Sequence, residues 1–386
     1  MQRCDVIIVG GGPAGSSCAA RLHAAGMDVL VIDKAEFPRD KTCGGWITPP
    51  ALELTGVDPH DYARGRVMQQ ITGFAVCRIG GRLVETDYKK IVSYGIRRRE
   101  FDQYLLDKSG ARTSLGESIQ SIERDGSMWQ INGRYEAPML VGAGGHFCPV
   151  ARHLGAKVGG QSRVVAAQEA EFELTDEQIR ACPIKPEVPE LYFCEDLVGY
   201  GWCFRKDRFL NVGLGREDSV QLSGHVKRFV KMLQDAGRIP GEITAPFHGH
   251  AYALYGHSDR QVVGDGVLLV GDAVGLAGTH SGEGIRAAIE SGLLAGDVVL
   301  SASGAYAQAR LERYREGLIG LYGPPESSDG ILTLLPMAIK QSFAGWLLST
   351  HWFTRRVVLD RWFLSHNVDE KRPRRRLTPI GAAATA

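Results

Sequence analysis

Four consecutive apolar residues, Val6-Ile7-Ile8-Val9, run directly into Gly10-Gly11-Gly12-Pro13-Ala14-Gly15. The run reads as a parallel strand buried on both faces. Residues 16–25, rich in Ala, read as a helix ended by Gly26, and Asp28-Val29-Leu30-Val31-Ile32 reads as a second buried strand that stops at Asp33. A strand, a glycine turn, a helix and another buried strand within about 30 residues make a β-α-β unit. The glycines are spaced for a dinucleotide. Gly10 permits the tight turn, Gly12 lets the main chain approach a pyrophosphate, and Gly15 allows close helix–strand packing. The helix start at Pro13 and Ala14 supplies unpaired N–H groups and a positive dipole end. Asp33 is placed for ribose hydroxyls, with Lys34 next to it at the same strand end. A carboxylate there disfavours a 2′-phosphate, which leaves FAD or NAD.

The choice between the two rests on a later segment. Val267-Leu268-Leu269-Val270 reads as another buried strand, closed by Gly271-Asp272, which presents a carboxylate and N–H groups to a ribityl chain and a pyrophosphate. Thr279-His280-Ser281-Gly282-Glu283-Gly284-Ile285 then opens a helix. Its N–H groups can point at the flavin edge where negative charge gathers on reduction. The two halves together select FAD.

Between them, residues 164–174, 191–193, 201–204 and 209–214 read as strands of a separate antiparallel sheet, and 225–236 as a helix. Residues 101–109 read as a helix, 118–122, 128–131 and 139–141 as strands, and 284–301 and 305–318 as helices. The nucleotide domain is therefore discontinuous, spanning 1–160 and 255–320. A β-rich substrate domain covers 161–254 with contributions from 46–95. A helical region follows over 321–370, and 371–386 forms a basic, Ala-rich disordered tail.

At this point the sequence resembles the geranylgeranyl reductase family, within the flavoproteins shaped like p-hydroxybenzoate hydroxylase. The resemblance covers roughly residues 3–320. It rests on the opening glycine turn, on Phe37-Pro38-Arg39 with Lys41-Thr42-Cys43-Gly44-Gly45, and on Arg98-Arg99-Glu100-Phe101-Asp102. It continues through Leu191-Tyr192-Phe193, the segment Gly199-Tyr200-Gly201-Trp202-Cys203-Phe204-Arg205-Lys206, then Asn211-Val212-Gly213-Leu214-Gly215. It ends on Gly271-Asp272 with Ser281-Gly282-Glu283-Gly284-Ile285. The implied fold class is α/β: a Rossmann-like FAD-binding domain with an inserted antiparallel substrate sheet and a C-terminal helical region.

The resemblance also implies roles. Arg39 contacts the AMP side of FAD and Arg98 the phosphates. Cys43 and Gly44 pass beside the flavin ring, with Cys43 either lining the reactive face or standing as an inert buried thiol. Tyr200 and Trp202 line the pocket above the ring or serve as plain core aromatics. His280 donates a proton near the ring or holds a turn. Two departures stand out. Gly144, in Val141-Gly142-Ala143-Gly144-Gly145-His146, occupies the place of an Asp that the hydroxylases associate with pyridine-nucleotide use. Arg205 follows Phe204 where the family places a Pro.

The implied reaction is hydride transfer from reduced flavin N5 to a C=C bond of an isoprenoid or other apolar substrate. Electrons would come from NAD(P)H or a reduced carrier protein, since no second dinucleotide turn is evident. A flavin monooxygenase is the alternative, weakened by Gly144. A halogenase would show a second Trp in the 199–205 segment, and a prenyl-binding escort would not need flavin motifs on both sides of the pyrophosphate.

Composition narrows the partners further. Lys plus Arg (45) nearly balance Asp plus Glu (44), which argues against a nucleic-acid coat. The eight cysteines form no CxxC pair and the histidines no i, i+4 pair, so neither metal nor disulfide is expected. His248 and His250 alternate, as two residues on one strand face would. No leader and no membrane-spanning stretch is evident, so a cytoplasmic protein is expected. The apolar segments around 331–339 and 343–348, with Trp352, Arg355, Arg356, Arg361 and Trp362 beyond them, read as a helical cap on the core. The other reading is a peripheral membrane surface.

Overall fold

The protein is described by a computed structural model covering residues 1–157, 164–218, 220–258, 260–279, 281–324, 345–364 and 377–381. Val6–Val9 pairs in parallel with Val29–Asp33 on one side and Met139–Gly142 on the other. Arg112–Leu115 and Val267–Leu269 extend this sheet to either side, and the short strand Val263–Gly264 closes one edge. Val6, Ile7 and Ile8 are fully buried, as a central strand covered on both faces must be. The strand from Val267 enters the sheet only after the chain has built a second one, so the sheet is discontinuous in sequence.

Two helices start where these strands end. Pro13–Ala24 follows the first strand, and Ile285–Ala302 lies directly against it. Small residues permit the close approach: a Cβ at Gly292 would stand 2.2 Å from the Ala14 carbonyl oxygen. The carboxyl ends of the strands and the amino ends of both helices thus meet at one crevice, where open α/β sheets bind their ligands.

The second sheet has seven strands in the order His248–Ala253, Val164–Glu173, Phe209–Arg216, Gly199–Lys206, Glu190–Phe193, Gly73–Arg78 and Val84–Asp87. It carries one parallel pair, Glu190–Phe193 with Gly73–Arg78, because the latter arrives from the 46–95 region rather than through a hairpin. Strand alternation divides its side chains between two environments. Leu210, Val212 and Leu214 face a helix, Leu222–Asp235, with Val226, Phe229 and Leu233. Gly201 lies on this face, since a Cβ there would meet the Phe229 ring at 2.6 Å. Tyr200, Trp202, Phe204 and Lys206 therefore point the other way, toward the first sheet.

Two elements differ from the sequence expectation. Residues 118–121 form no strand because Asn132 captures them: its side chain accepts from Gln120 N–H at 2.7 Å and donates to the Ser118 carbonyl at 3.0 Å. The ladder begins only at Ile122–Asp125. The helix expected over 305–318 starts later, at Gln308–Leu311, and continues as Arg313–Tyr322. Gly304, at φ +84°, ends the preceding turn, and Asp265 accepts from Gln308 N–H at 2.7 Å.

The helix Thr354–Phe363 caps the free face of the second sheet. Val358, Leu359 and Phe363 pack with Phe74, Val76 and Leu191. Trp346 and Trp352 remain exposed. The segment 331–344 and the basic run 371–376 lie outside the described residues. No helix among the described residues is long and apolar enough to cross a membrane.

Candidate functional site

A cavity of about 670 Å³ runs from the glycine turn to the aromatic face of the second sheet. At the first end the main chain is compact. Gly10 sits at φ +115°, and a Cβ there would meet the Ala143 carbonyl oxygen at 2.4 Å. A Cβ at Gly15 would come within 1.9 Å of the Gly10 carbonyl oxygen. Asp33 accepts from Gly11 N–H at 2.8 Å and Ala35 N–H at 2.9 Å, which aims its carboxylate and leaves lone pairs free for hydroxyl donors. Lys34 is exposed at the same rim.

Three cations approach from the side. Arg98 makes a bidentate pair with the fully buried Asp102, at 2.8 Å for both bonds, and Arg39 reaches the same carboxylate at 3.2 Å. Burial works against the charge on Arg98, but Asp102 and Cys43 outweigh it and raise its pKa. Lys41 lacks so close a partner; burial and neighbouring Arg98 push its pKa down to about 8, against the pull of Asp272.

Asp272 stands across the crevice in the turn Gly271–Ala273 that follows strand Val267–Leu269, and Gly271 N–H donates to Ser291 Oγ at 2.9 Å. Its carboxylate lies 3.4 Å from His250 Nε2. Burial would raise the pKa of Asp272, yet His250 and Lys41 hold it below the usual carboxylate range. Arg260 clamps this turn to the neighbouring one, donating to the Ala273 carbonyl at 3.0 Å and to the His146 carbonyl at 2.9 Å. Gly144, in the place of the expected Asp, is closely packed: a Cβ there would stand 3.2 Å from both Cys148 Cα and Pro149 Cδ. Gly282, at φ +67°, lets the chain turn under Tyr252. Gly284 precedes Ile285, the first residue of the helix, with Asp272 Oδ1 3.3 Å from where its Cβ would be.

At the far end the Cys43-Gly44-Gly45 turn is held almost entirely by side chains. Cys43 N–H donates to Glu169 Oε1 at 2.7 Å, and Asn211 Nδ2 donates to the Cys43 carbonyl at 3.2 Å. Lys206, 1% exposed, donates to the carbonyls of Gly44 and Ile96 and to Glu171. Arg97 holds the other oxygen of Glu171 at 3.0 Å. Trp202 donates its indole N–H to Asn211 Oδ1 at 2.7 Å. Tyr200 gives its O–H to the Ser281 carbonyl at 2.5 Å, so that proton is engaged in joining the second sheet to the helix start. Phe363 closes the wall, 5.4 Å from Tyr200 and 5.5 Å from Trp46, ring to ring.

The structure thus lines one cavity with the sequence-selected residues Gly10, Gly12, Pro13, Ala14, Asp33, Lys34, Arg39, Cys43, Gly44, Arg98, Tyr200, Trp202, Asp272, Gly282, Gly284 and Ile285. Gly15 lies behind it as a packing contact. His280 lies outside the described residues. Sequence reading missed Lys41 as a charge, the His250–Asp272 and Arg260–His146 pairs, and the group Glu169, Glu171, Lys206 and Asn211. One signal was available. Glu169 and Glu171 are two acids on the same face of a strand that is otherwise mostly apolar, a placement that requires buried partners.

The donor set can be tested against a flavin dinucleotide. The first-turn N–H groups of the Pro13 helix have no intrahelical partners, and with Lys41, Arg98 and Arg39 they suit a diphosphate. Asp33 and Asp272 on its two sides suit hydroxyl-bearing chains. A Cβ at Gly12 would stand 3.3 Å from Arg39 Nη2, in the space a diphosphate needs. The residues fit the group.

Known proteins agree. Residues 3–317 match the family described as FAD binding domain. The chain is 28% identical over 312 residues to digeranylgeranylglycerophospholipid reductase of Methanocaldococcus jannaschii, covering 77% of each chain. It is 29% identical over 326 residues to menaquinone reductase of Mycobacterium tuberculosis, covering 76% of each. Among solved structures, a geranylgeranyl bacteriochlorophyll reductase-like protein from Thermoplasma acidophilum superposes with a TM-score of 0.71 at 20% identity, over 99% of this chain and 94% of that one. The chain belongs to the FAD-binding-domain family and is an FAD-dependent oxidoreductase.

Proposed function

We propose that the protein saturates C=C bonds of an isoprenoid or another extended apolar substrate. The observation that carries this reading is the far wall of the cavity, where Trp46, Leu191, Tyr200, Trp202, Phe204 and Phe363 offer a continuous apolar surface. Such a wall binds a hydrocarbon by burial and places no charge against it. The named activities of the relatives, on a digeranylgeranyl lipid and on menaquinone, point to the same substrate chemistry.

FAD, when bound, supplies the two electrons of the reduction. Asp33, Arg39, Lys41, Arg98 and the Pro13 helix start are assigned to its AMP and diphosphate, and Asp272, Gly282, Gly284 and Ile285 to the ribityl chain and ring edge. Cys43, which lines the same cavity, is assigned the proton that completes the addition. Trp202 shapes the wall. Tyr200, committed to Ser281, positions rather than donates.

The test is anaerobic. Reduced enzyme mixed with a polyprenyl lipid should reoxidise without oxygen and yield a product with two added hydrogens per double bond, read by mass spectrometry. Turnover that requires oxygen and inserts it into the product would replace this reading with the monooxygenase.

A further inference from the structure

We propose that Glu169 is the positioning residue for the reactive end of the cavity: its ionised carboxylate holds the Cys43 N–H directly and the Trp202 indole through Asn211. One buried group thereby sets both walls between which the substrate lies. The inference rests on the reading of the Cys43 turn as the wall that faces the flavin.

The polarity of the hydrogen-bond chain requires this assignment. The Trp202 indole N–H can only donate, so Asn211 must turn its carbonyl oxygen toward it. That orientation directs the Asn211 amide nitrogen at the Cys43 carbonyl (3.2 Å) and Glu169 Oε2 (2.7 Å). Cys43 N–H arrives at Glu169 Oε1 from the other side (2.7 Å). Position 169 therefore has to offer two acceptor oxygens to two donors. A carboxylate does so; a carboxylic acid or an amide turns one of those oxygens into a donor that faces another donor.

The surroundings make ionisation a real choice for this group. Glu169 is 6% exposed. Lys206 and Trp202 face it from one strand, Asn211 from a second, and Glu171 from its own strand, with Arg97 beyond Glu171. Exposed His248 stands opposite it in register. Burial pushes its pKa up to about 7, against the pull of Lys206. Near neutrality the turn thus exchanges between a form held at both Cys43 groups and one that has lost a bond.

Alkylation of Cys43 by iodoacetamide in the full-length, FAD-loaded protein, read by peptide mass, tests this. Cys43 is suited to it because the other seven cysteines are buried. Glu169→Gln should label about tenfold faster than the wild type at about pH 8, the loss of one charge-assisted bond. The two proteins should label at nearly equal rates at about pH 5.5, where the wild-type group is itself protonated. A ratio that stays constant with pH overturns the proposal, because a purely structural role would produce it. Should the variant not accumulate folded, the wild type alone decides. Its log rate should rise with a slope below one as pH passes through neutrality, and a slope of one throughout overturns the proposal. Removal of FAD is the separate control: faster labelling supports the flavin-facing reading of the turn, and unchanged labelling removes that reading whatever the pH ratio shows.

Discussion

The two ends of the cavity are built from different materials. The nucleotide end is framed by main chain, a glycine turn, two helix starts and strand termini from short contiguous segments, to which Asp33, Arg39, Lys41, Arg98 and Asp272 add their side chains. The reactive end is held by side chains: Glu169, Trp202, Lys206, Asn211 and Phe363 converge from three strands and a C-terminal helix. Main-chain geometry tolerates few substitutions and is the same whatever the substrate. A wall of side chains can be rebuilt one residue at a time, which suits the part of an enzyme that selects what it acts on.

The sharpest way to break the nucleotide end is Gly15→Ala. A single Cβ would stand 1.9 Å from the Gly10 carbonyl oxygen, and both partners are backbone. No rotamer relieves that contact, so the loss should be about 4 kcal/mol or more. Flavin absorbance per chain should fall to background, and the thermal midpoint should drop with it.

This contrast also explains what the sequence made legible. Gly10, Gly12, Asp33 and Asp272, which line the cavity, stood out in the sequence because each sits in a short segment whose spacing alone carries its meaning. Glu169 and Asn211 occupy adjacent strands whose pairing, Glu169 with Gly213 and Glu171 with Asn211, is a property of the sheet register. Nothing local in either segment announces the other. Gly144 was legible as a departure, but its close packing against Cys148 and Pro149 appears only once the turn is folded. The strand expected at 118–122 starts only at its last residue for a similar cause: Asn132, a hairpin away, takes the hydrogen bonds that a neighbouring strand would have used.

Lys206→Met separates the two ends. The ammonium group is buried and serves the carbonyls of Gly44 and Ile96 as well as Glu171. Its removal leaves a buried carboxylate with Arg97 as its remaining cation, at a cost of about 3 kcal/mol by denaturant titration. Because no atom of Lys206 takes part in the nucleotide end, FAD affinity should change far less than stability. An equal loss of both would show that the ends behave as one unit.

The smallest effect, and the most discriminating, is the sign of the pH dependence at each end. His146 Nδ1 lies 3.2 Å from Arg260 Nη2, and the guanidinium can only donate, so Nδ1 must accept and the imidazole must be neutral. Burial and Arg260 push its pKa from 6.5 down to about 4. Between those values the unfolded chain binds more protons than the folded one, so stability rises with pH there. The contribution is complete above pH 6.5 and is lost as the pH falls to about 4. Glu169 runs the other way. Its pKa is raised from 4.5 to about 7, so the folded chain binds more protons in that window and stability falls as the pH rises through it. Denaturant midpoints measured across this range should therefore shift oppositely in two variants. His146→Gln should lessen the acid-side loss, and Glu169→Gln should remove the decline toward neutrality. If both variants altered the profile in the same direction, the division of the cavity into a neutral-histidine end and a titrating-carboxylate end would not hold.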